Sequence, residues 1–252
     1  MAVAIRELDI HLNALLEPEA FRDYCPNGLQ VEGHRPIRKL VTGVTASQEF
    51  LDAAIANNAD AVLVHHGYFW KGEDQRITGM KRRRIATLFE AGVSLWAYHL
   101  PLDAHPTLGN NAQLAKRLGW KVTGSLRDEA RPIGNRGVTA APQDIASLKL
   151  QLEQILDFRP IHVPGGPATV SHVAWCTGAA QGMIHDAAAV GADVYITGEI
   201  SEPTAHAAAE LGIHFLAAGH HATERYGVQA VGEKLVADFG IDHQFIDCPI
   251  PV

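Results

Sequence analysis

Short apolar runs alternate along this chain with helical segments of ordinary length. Helices are predicted over 5–16, near 48–58 and near 81–91, and strands over 40–44, 59–64 and 93–98. The same order of elements then returns, as a helix over 145–156, an extended run over 161–165 and a strand over 172–178. Helix 183–190, strand 192–197, helix 202–211 and strand 213–219 complete it. The phrases DAAIANNADAVLVHH and DAAAVGADVYITGE match most closely, and each copy closes on one more helix and strand. Agreement of element order, glycine positions and chemistry predicts an internal duplication. Apolar strands between helices predict α/β layers with mixed, largely parallel sheets. The expected organisation is two similar α/β lobes, 1–125 and 143–252, joined by a connecting hairpin within 126–142.

Composition narrows the function classes. With 47% hydrophobic and 19% charged residues, the 252-residue chain is globular. Its net charge of −7 provides no general basic field for nucleic acid, so an anionic ligand needs a local cation. Cys25, Cys176 and Cys248 are widely spaced and form no CxxC, which excludes a disulfide framework and thiolate metal knuckles. The first residues carry charges where a secretory core would be apolar, and no apolar run approaches the ~18 residues of a membrane span. A cytoplasmic protein without a membrane partner is expected. The 14 histidines are the compositional anomaly.

Several of them sit where α/β sheets collect ligands, at the carboxyl ends of strands. His65 and His66 follow an apolar run. Neighbours in extended chain point to opposite faces, so each is expected to face a different ion of a pair, with Gly67 turning the chain beside them. The next strand of each copy ends in a His-x-x-x-carboxylate, His99 to Asp103 and His220 to Glu224; a helix after His220 would bring its pair onto one face. Five groups stand out: His65, His66, Asp103, His220 and Glu224. Imidazoles with carboxylates and no thiolate suit zinc, iron, manganese, cobalt or nickel. Two divalent cations (+4) with two carboxylates (−2) leave about +2, which attracts an anion, and Glu224 is the candidate bridge. Five protein ligands underfill two coordination shells, leaving room for a hydroxide or substrate.

Asn27-Gly28-Leu29-Gln30-Val31, Val64-His65-His66-Gly67, His99-Leu100-Pro101-Leu102-Asp103, Thr197-Gly198-Glu199 and Gly219-His220-His221-Ala222-Thr223-Glu224 together resemble the Nif-three-like family, whose members carry the label GTP cyclohydrolase 1 type 2 homolog. The resemblance spans nearly the whole chain. It implies a duplicated α/β fold, a dinuclear site between the lobes and a ring-shaped homohexamer with metals facing an internal cavity. Its metal ligands fall on the same five residues.

The expected function is that of a metal-dependent hydrolase, in which a hydroxide bridging two divalent ions attacks a small anionic, nucleotide-like substrate. The alternative is a non-catalytic metal-binding or regulatory ring. His99 and Glu199 are candidates for moving protons. His105 and His221 neighbour the motifs and are read as lining the mouth. Solitary histidines, His11, His34, His162, His172, His185, His206, His214 and His243, are read as solvated or hydrogen-bonded. The basic run Lys81-Arg82-Arg83-Arg84 reads as a solvated helix face, and Cys25 as turn chemistry.

Overall fold

The computed structural model describes residues 2–252. The chain runs through α1 (Ile5–Leu16), β1 (Gly28–Val31), β2 (Lys39–Thr45), α2 (Gln48–Ala56), β3 (Ala61–His66), α3 (Gly79–Ala91), β4 (Ser94–Ala97) and α4 (Leu100–Ala104). It continues as α5 (Asn110–Leu118), β5 (Lys121–Ser125), β6 (Asn135–Asp144), α6 (Ile145–Leu156), β7 (Ile161–Val163), β8 (Thr169–Trp175), α7 (Ile184–Ala189) and β9 (Val194–Thr197). The last elements are α8 (Glu202–Leu211), β10 (His214–Ala217), α9 (His220–Thr223), α10 (Arg225–Phe239) and β11 (Asp242–Phe245). Among the described residues no helix is long and apolar enough to cross a membrane.

The chain divides into two units, Met1–Gly109 with Gly227–Cys248, and Asn110–Tyr226 with Pro249–Val252. The first holds a sheet in the order β1-β4-β3-β2-β11, parallel except for β1. In the second the order is β5-β6-β8-β9-β10-β7, where β8, β9 and β10 are parallel and β5, β6 and β7 add antiparallel pairs. The run β1-β4-β3-β2 matches β7-β10-β9-β8 in order and direction.

These units are not the continuous halves 1–125 and 143–252 expected from sequence. The closing helix and strand of each copy belong to the other unit: β5 extends the second sheet, and β11 pairs with the edge of β2, supplying partners for its backbone groups. Nor is 126–142 a connector outside the lobes. Its end is β6, which a hairpin returns antiparallel to β5 and which then covers the edge of β8. That hairpin is also why the second sheet is less parallel than expected.

Strand alternation sorts each core into two layers. In the first sheet Leu40, Leu63, Trp96 and Tyr98 pack with Leu8 and Leu12 of α1 and Val231 and Leu235 of α10. Their neighbours Val41, Val62, Val64 and Leu95 pack with Phe50 and Leu51 of α2 and Ile85 and Leu88 of α3. The second sheet divides likewise, with Trp175, Ile196 and Leu216 toward α5 and α6, and Ala174, Tyr195 and Phe215 toward α7 and α8. Leucines four apart, Leu8, Leu12 and Leu16 in α1 and Leu148, Leu152 and Leu156 in α6, fix which helix face turns inward. Each buried leucine contributes about 2 kcal/mol. The hydroxyl of Ser47 and the carboxylate of Asp144 accept N–H bonds from Phe50 and Ser147 and start α2 and α6.

Two expectations about single residues meet different outcomes. Lys81 is buried, its ammonium 2.8 Å from Glu73 Oε1 and donating to the Asp74 carbonyl at 2.7 Å, while Arg82 and Arg83 are exposed. Helical rotation thus turns one member of the basic run inward, so the run is not a uniform solvated face. His243, read as hydrogen-bonded, is so: its Nε2 lies 2.8 Å from Thr42 Oγ1, under Gly232 of α10, where a Cβ would fall 2.1 Å from that nitrogen. Burial lowers the His243 pKa. The unfolded chain therefore takes this proton more readily, and stability is lost as pH falls below the ordinary histidine range, about 6.5. His243→Gln is expected to lose less stability than the wild type between pH 7.5 and 5.5 in urea denaturation; an equal loss would clear His243 of the acid limb.

Candidate metal centre

The first unit gathers three histidines at the carboxyl ends of β3 and β4. His65 is fully buried as the penultimate residue of β3, and its Nδ1 donates to the Tyr98 carbonyl at 2.9 Å, since a carbonyl can only accept. Its Nε2 thereby keeps a lone pair and lies 3.6 Å from Asp103 Oδ2. His66 Nδ1 sits 3.2 Å from Thr45 Oγ1 across the β2–β3 pair. The His65 and His66 rings are 4.6 Å apart. The two side chains therefore do not diverge to opposite faces as strand alternation predicts. At the strand end, ahead of Gly67, separate hydrogen bonds swing both rings toward one place.

His99 immediately precedes α4, and its Nδ1 meets Asp23 Oδ1 at 2.6 Å. The second oxygen of Asp23 accepts the Leu100 N–H at 2.9 Å and the Asn27 side-chain amide at 2.9 Å, and Asn27 Oδ1 accepts the His99 N–H at 2.7 Å. Burial alone would raise the Asp23 carboxyl; the bonds from His99 and Asn27 outweigh it and hold its pKa below the ordinary value. His65, His66 and His99 can place one ring nitrogen each within 4.8 Å of one another. Asp103, buried in α4, adds the carboxylate next to His65.

The second unit supplies the other two expected ligands. α9 follows Gly219 directly, and its turn brings His220 Nε2 to 3.1 Å from Glu224 Oε2, so this pair shares a face as its spacing predicts. The other ring nitrogen, Nδ1, meets Glu199 Oε1 at 2.7 Å. Burial pulls the His220 pKa down, but the hydrogen bonds and charges of Glu224 and Glu199 overcome this and raise it to about 9. An imidazole ring flanked by a carboxylate at each nitrogen marks a position that attracts positive charge. Gly178 makes room for Glu224. It has φ +71, and a Cβ there would fall 2.1 Å from Glu224 Oε1. Its N–H donates to Thr223 Oγ1 at 3.1 Å, and its carbonyl accepts from Gly198 N at 2.8 Å and Thr197 Oγ1 at 2.9 Å.

The donor set fits divalent cations. Nδ1 of His65, His99 and His220 is held by a carbonyl or carboxylate, the arrangement that aims Nε2 at a metal and raises its basicity. His, Asp and Glu groups that could hold a metal ion are thus present in the structure. Glu199, expected as a proton carrier, holds the His220 ring through Nδ1. His105 accepts the Thr107 and Leu108 N–H groups as turn chemistry, and His221 is buried. Burial, helped by the Asp23 charge, pushes the Cys25 thiol up to about 12, which leaves it protonated at neutral pH and suits its reading as turn chemistry. Sequence reading missed Asp23, Thr45 and Gly178. Asp23 is separated from His99 by 76 residues, so no local spacing reveals the pair; Gly178 closes a strand run and looks like an ordinary turn residue.

Relatives carry the same architecture. A protein of Pseudomonas aeruginosa named GTP cyclohydrolase 1 type 2 homolog is 52% identical over 252 residues, all of both chains. One of Escherichia coli K12 with the same name is 51% identical over 246 residues, 97% of this chain and 98% of the relative. A solved structure described as protein ybgI, of unknown function, superposes with TM-score 0.95 at 49% identity over the whole of both chains, and one from Thermus thermophilus with TM-score 0.90 at 35% identity, also over the whole of both. Residues 3–250 match the family model for Duf34/NIF3 (NGG1p interacting factor 3). With that match and half-identical relatives of equal length, the chain belongs to the Duf34/NIF3 family.

Proposed function

We propose that this chain is a hydrolase using two divalent cations, held by His65, His66, Asp103, His220 and Glu224, and acting on a small anionic, nucleotide-like substrate. The observation that carries the proposal is the engagement of Nδ1 on His65 and His220, each by an acceptor, which leaves Nε2 as the coordinating atom. The relatives' shared name is consistent with it.

When bound, divalent cations would supply Lewis acidity, activated water at neutral pH and the positive charge that an acidic chain otherwise lacks. The residues supply the rest. Glu199 and the Tyr98 carbonyl fix the ligand rings, and Asp23 fixes His99, whose ring lies 5.1 Å from that of His65 and 5.8 Å from that of His66, where it can take or give a proton. The proposal includes a ring-shaped hexamer, as the sequence resemblance implies, and a cytoplasmic location, as cysteine usage and the polar first residues suggest; light scattering of the purified protein checks the assembly.

A panel of nucleotides and phosphoesters tests the activity. Metal-replete wild type is expected to hydrolyse at least one member, and His66→Ala to lose that turnover by at least about a hundredfold. Silence across the panel by protein that retains its metals would favour the non-catalytic metal-binding ring.

A further inference from the structure

Trp70 stands beside the histidine cluster with no part in holding it. Its ring centroid lies 5.0 Å from that of His99, edge to face, and 5.9 Å from that of His66. Tyr24, 61% exposed, is 6.3 Å from His99, and its carbonyl accepts the Lys71 N–H at 2.6 Å, tying it to the loop that carries Trp70.

That loop is heavily braced. Phe69 takes φ +67, a region costly for an aromatic residue. Gln30 holds the preceding Tyr68 on both backbone groups, at 2.7 and 3.2 Å, and the Tyr68 hydroxyl donates to the Ala46 carbonyl at 2.9 Å. On the other side, Glu73 accepts the Trp70 N–H at 3.0 Å and is itself held by buried Lys81 at 2.8 Å, whose ammonium lies 5.6 Å from the Phe69 ring. The indole N–H donates internally, to the Gly67 carbonyl at 3.2 Å. What Trp70 offers a ligand is therefore its π surface in a fixed orientation.

We propose that Trp70 is a specificity-determining residue, which stacks on a planar heteroaromatic ring of the substrate while the ring's anionic attachment is drawn to the cations that the metal ligands would hold. This rests on the hydrolase reading above. A planar ring against a pre-fixed indole gains dispersion and quadrupole attraction with little loss of side-chain freedom.

The test uses the metal-replete full chain, adenosine monophosphate as the base-bearing probe and ribose 5-phosphate as the same anion without the base. Three of the four tryptophans, Trp96, Trp120 and Trp175, are buried at 0, 6 and 0% exposure, so quenching by a stacked base reports on half-buried Trp70. Calorimetry gives the affinities, and elemental analysis the metal content, of wild type, Trp70→Leu and Trp70→Phe. Expected are saturable quenching by the nucleotide in wild type, nucleotide binding about tenfold weaker in Trp70→Leu and within about twofold in Trp70→Phe, and unchanged sugar-phosphate binding and metal content. Equal affinity of wild type for both probes, binding of neither, or a Trp70→Leu variant that weakens both alike or sheds its metals would overturn the proposal, leaving Trp70 a structural wall. Failure of the hydrolase reading shows separately, as wild-type protein that lacks metal or that retains its metals and hydrolyses no member of the nucleotide and phosphoester panel.

Discussion

Replacing Gly178 by alanine is expected to abolish metal binding at the second unit's ligands while the chain still folds. Two independent demands meet at this residue. Its φ of +71 lies where an alanine costs about 1 kcal/mol, and an added Cβ would overlap Glu224 Oε1, 2.1 Å away. The backbone cannot retreat to relieve the overlap, because Thr223, Thr197 and Gly198 hold both polar groups of Gly178. Glu224 therefore moves, and with it the carboxylate beside His220. The expected result is a modest fall in melting temperature and a loss of metal affinity of at least about a hundredfold. Retention of wild-type metal content would show that Glu224 tolerates displacement and is no ligand.

Glu224→Gln is the sharper chemical companion. The amide keeps nearly the same shape in a position only 2% exposed, so packing is conserved, but it removes the negative charge that faces His220 Nε2 at 3.1 Å. A bridging carboxylate offsets the repulsion of two cations, and a neutral amide does so poorly. Metal content is expected to fall from the proposed two ions per chain to one or none, and turnover by at least about a hundredfold. Two ions per chain in the variant, measured by elemental analysis, would remove Glu224 from the bridging role.

Much of the fold was legible because local pattern and tertiary demand agree. Helices α1, α6 and α8 begin and end where the sequence places them, at 5–16, 145–156 and 202–211. The exchange of closing segments was not legible. Nothing within β11 or β5 states which sheet edge each will cover, since edge pairing depends on backbone groups elsewhere in the chain. At the site, His220 and Glu224 were readable through helical spacing, and His65 and His66 through their place at the end of a strand. Convergence of the latter pair was not, because it depends on the Tyr98 carbonyl and the Thr45 hydroxyl at a strand end, where alternation no longer governs side-chain direction. Asp23 and Gly178 act through distant partners and left no local signature.

Anomalous scattering from a crystal of the metal-replete protein, collected across the absorption edges of zinc, iron, manganese, cobalt and nickel, bears most directly on the central claim. Two peaks per chain, bounded by His65, His66, Asp103, His220 and Glu224, are expected. A single peak, or peaks ligated by other side chains, would contradict it.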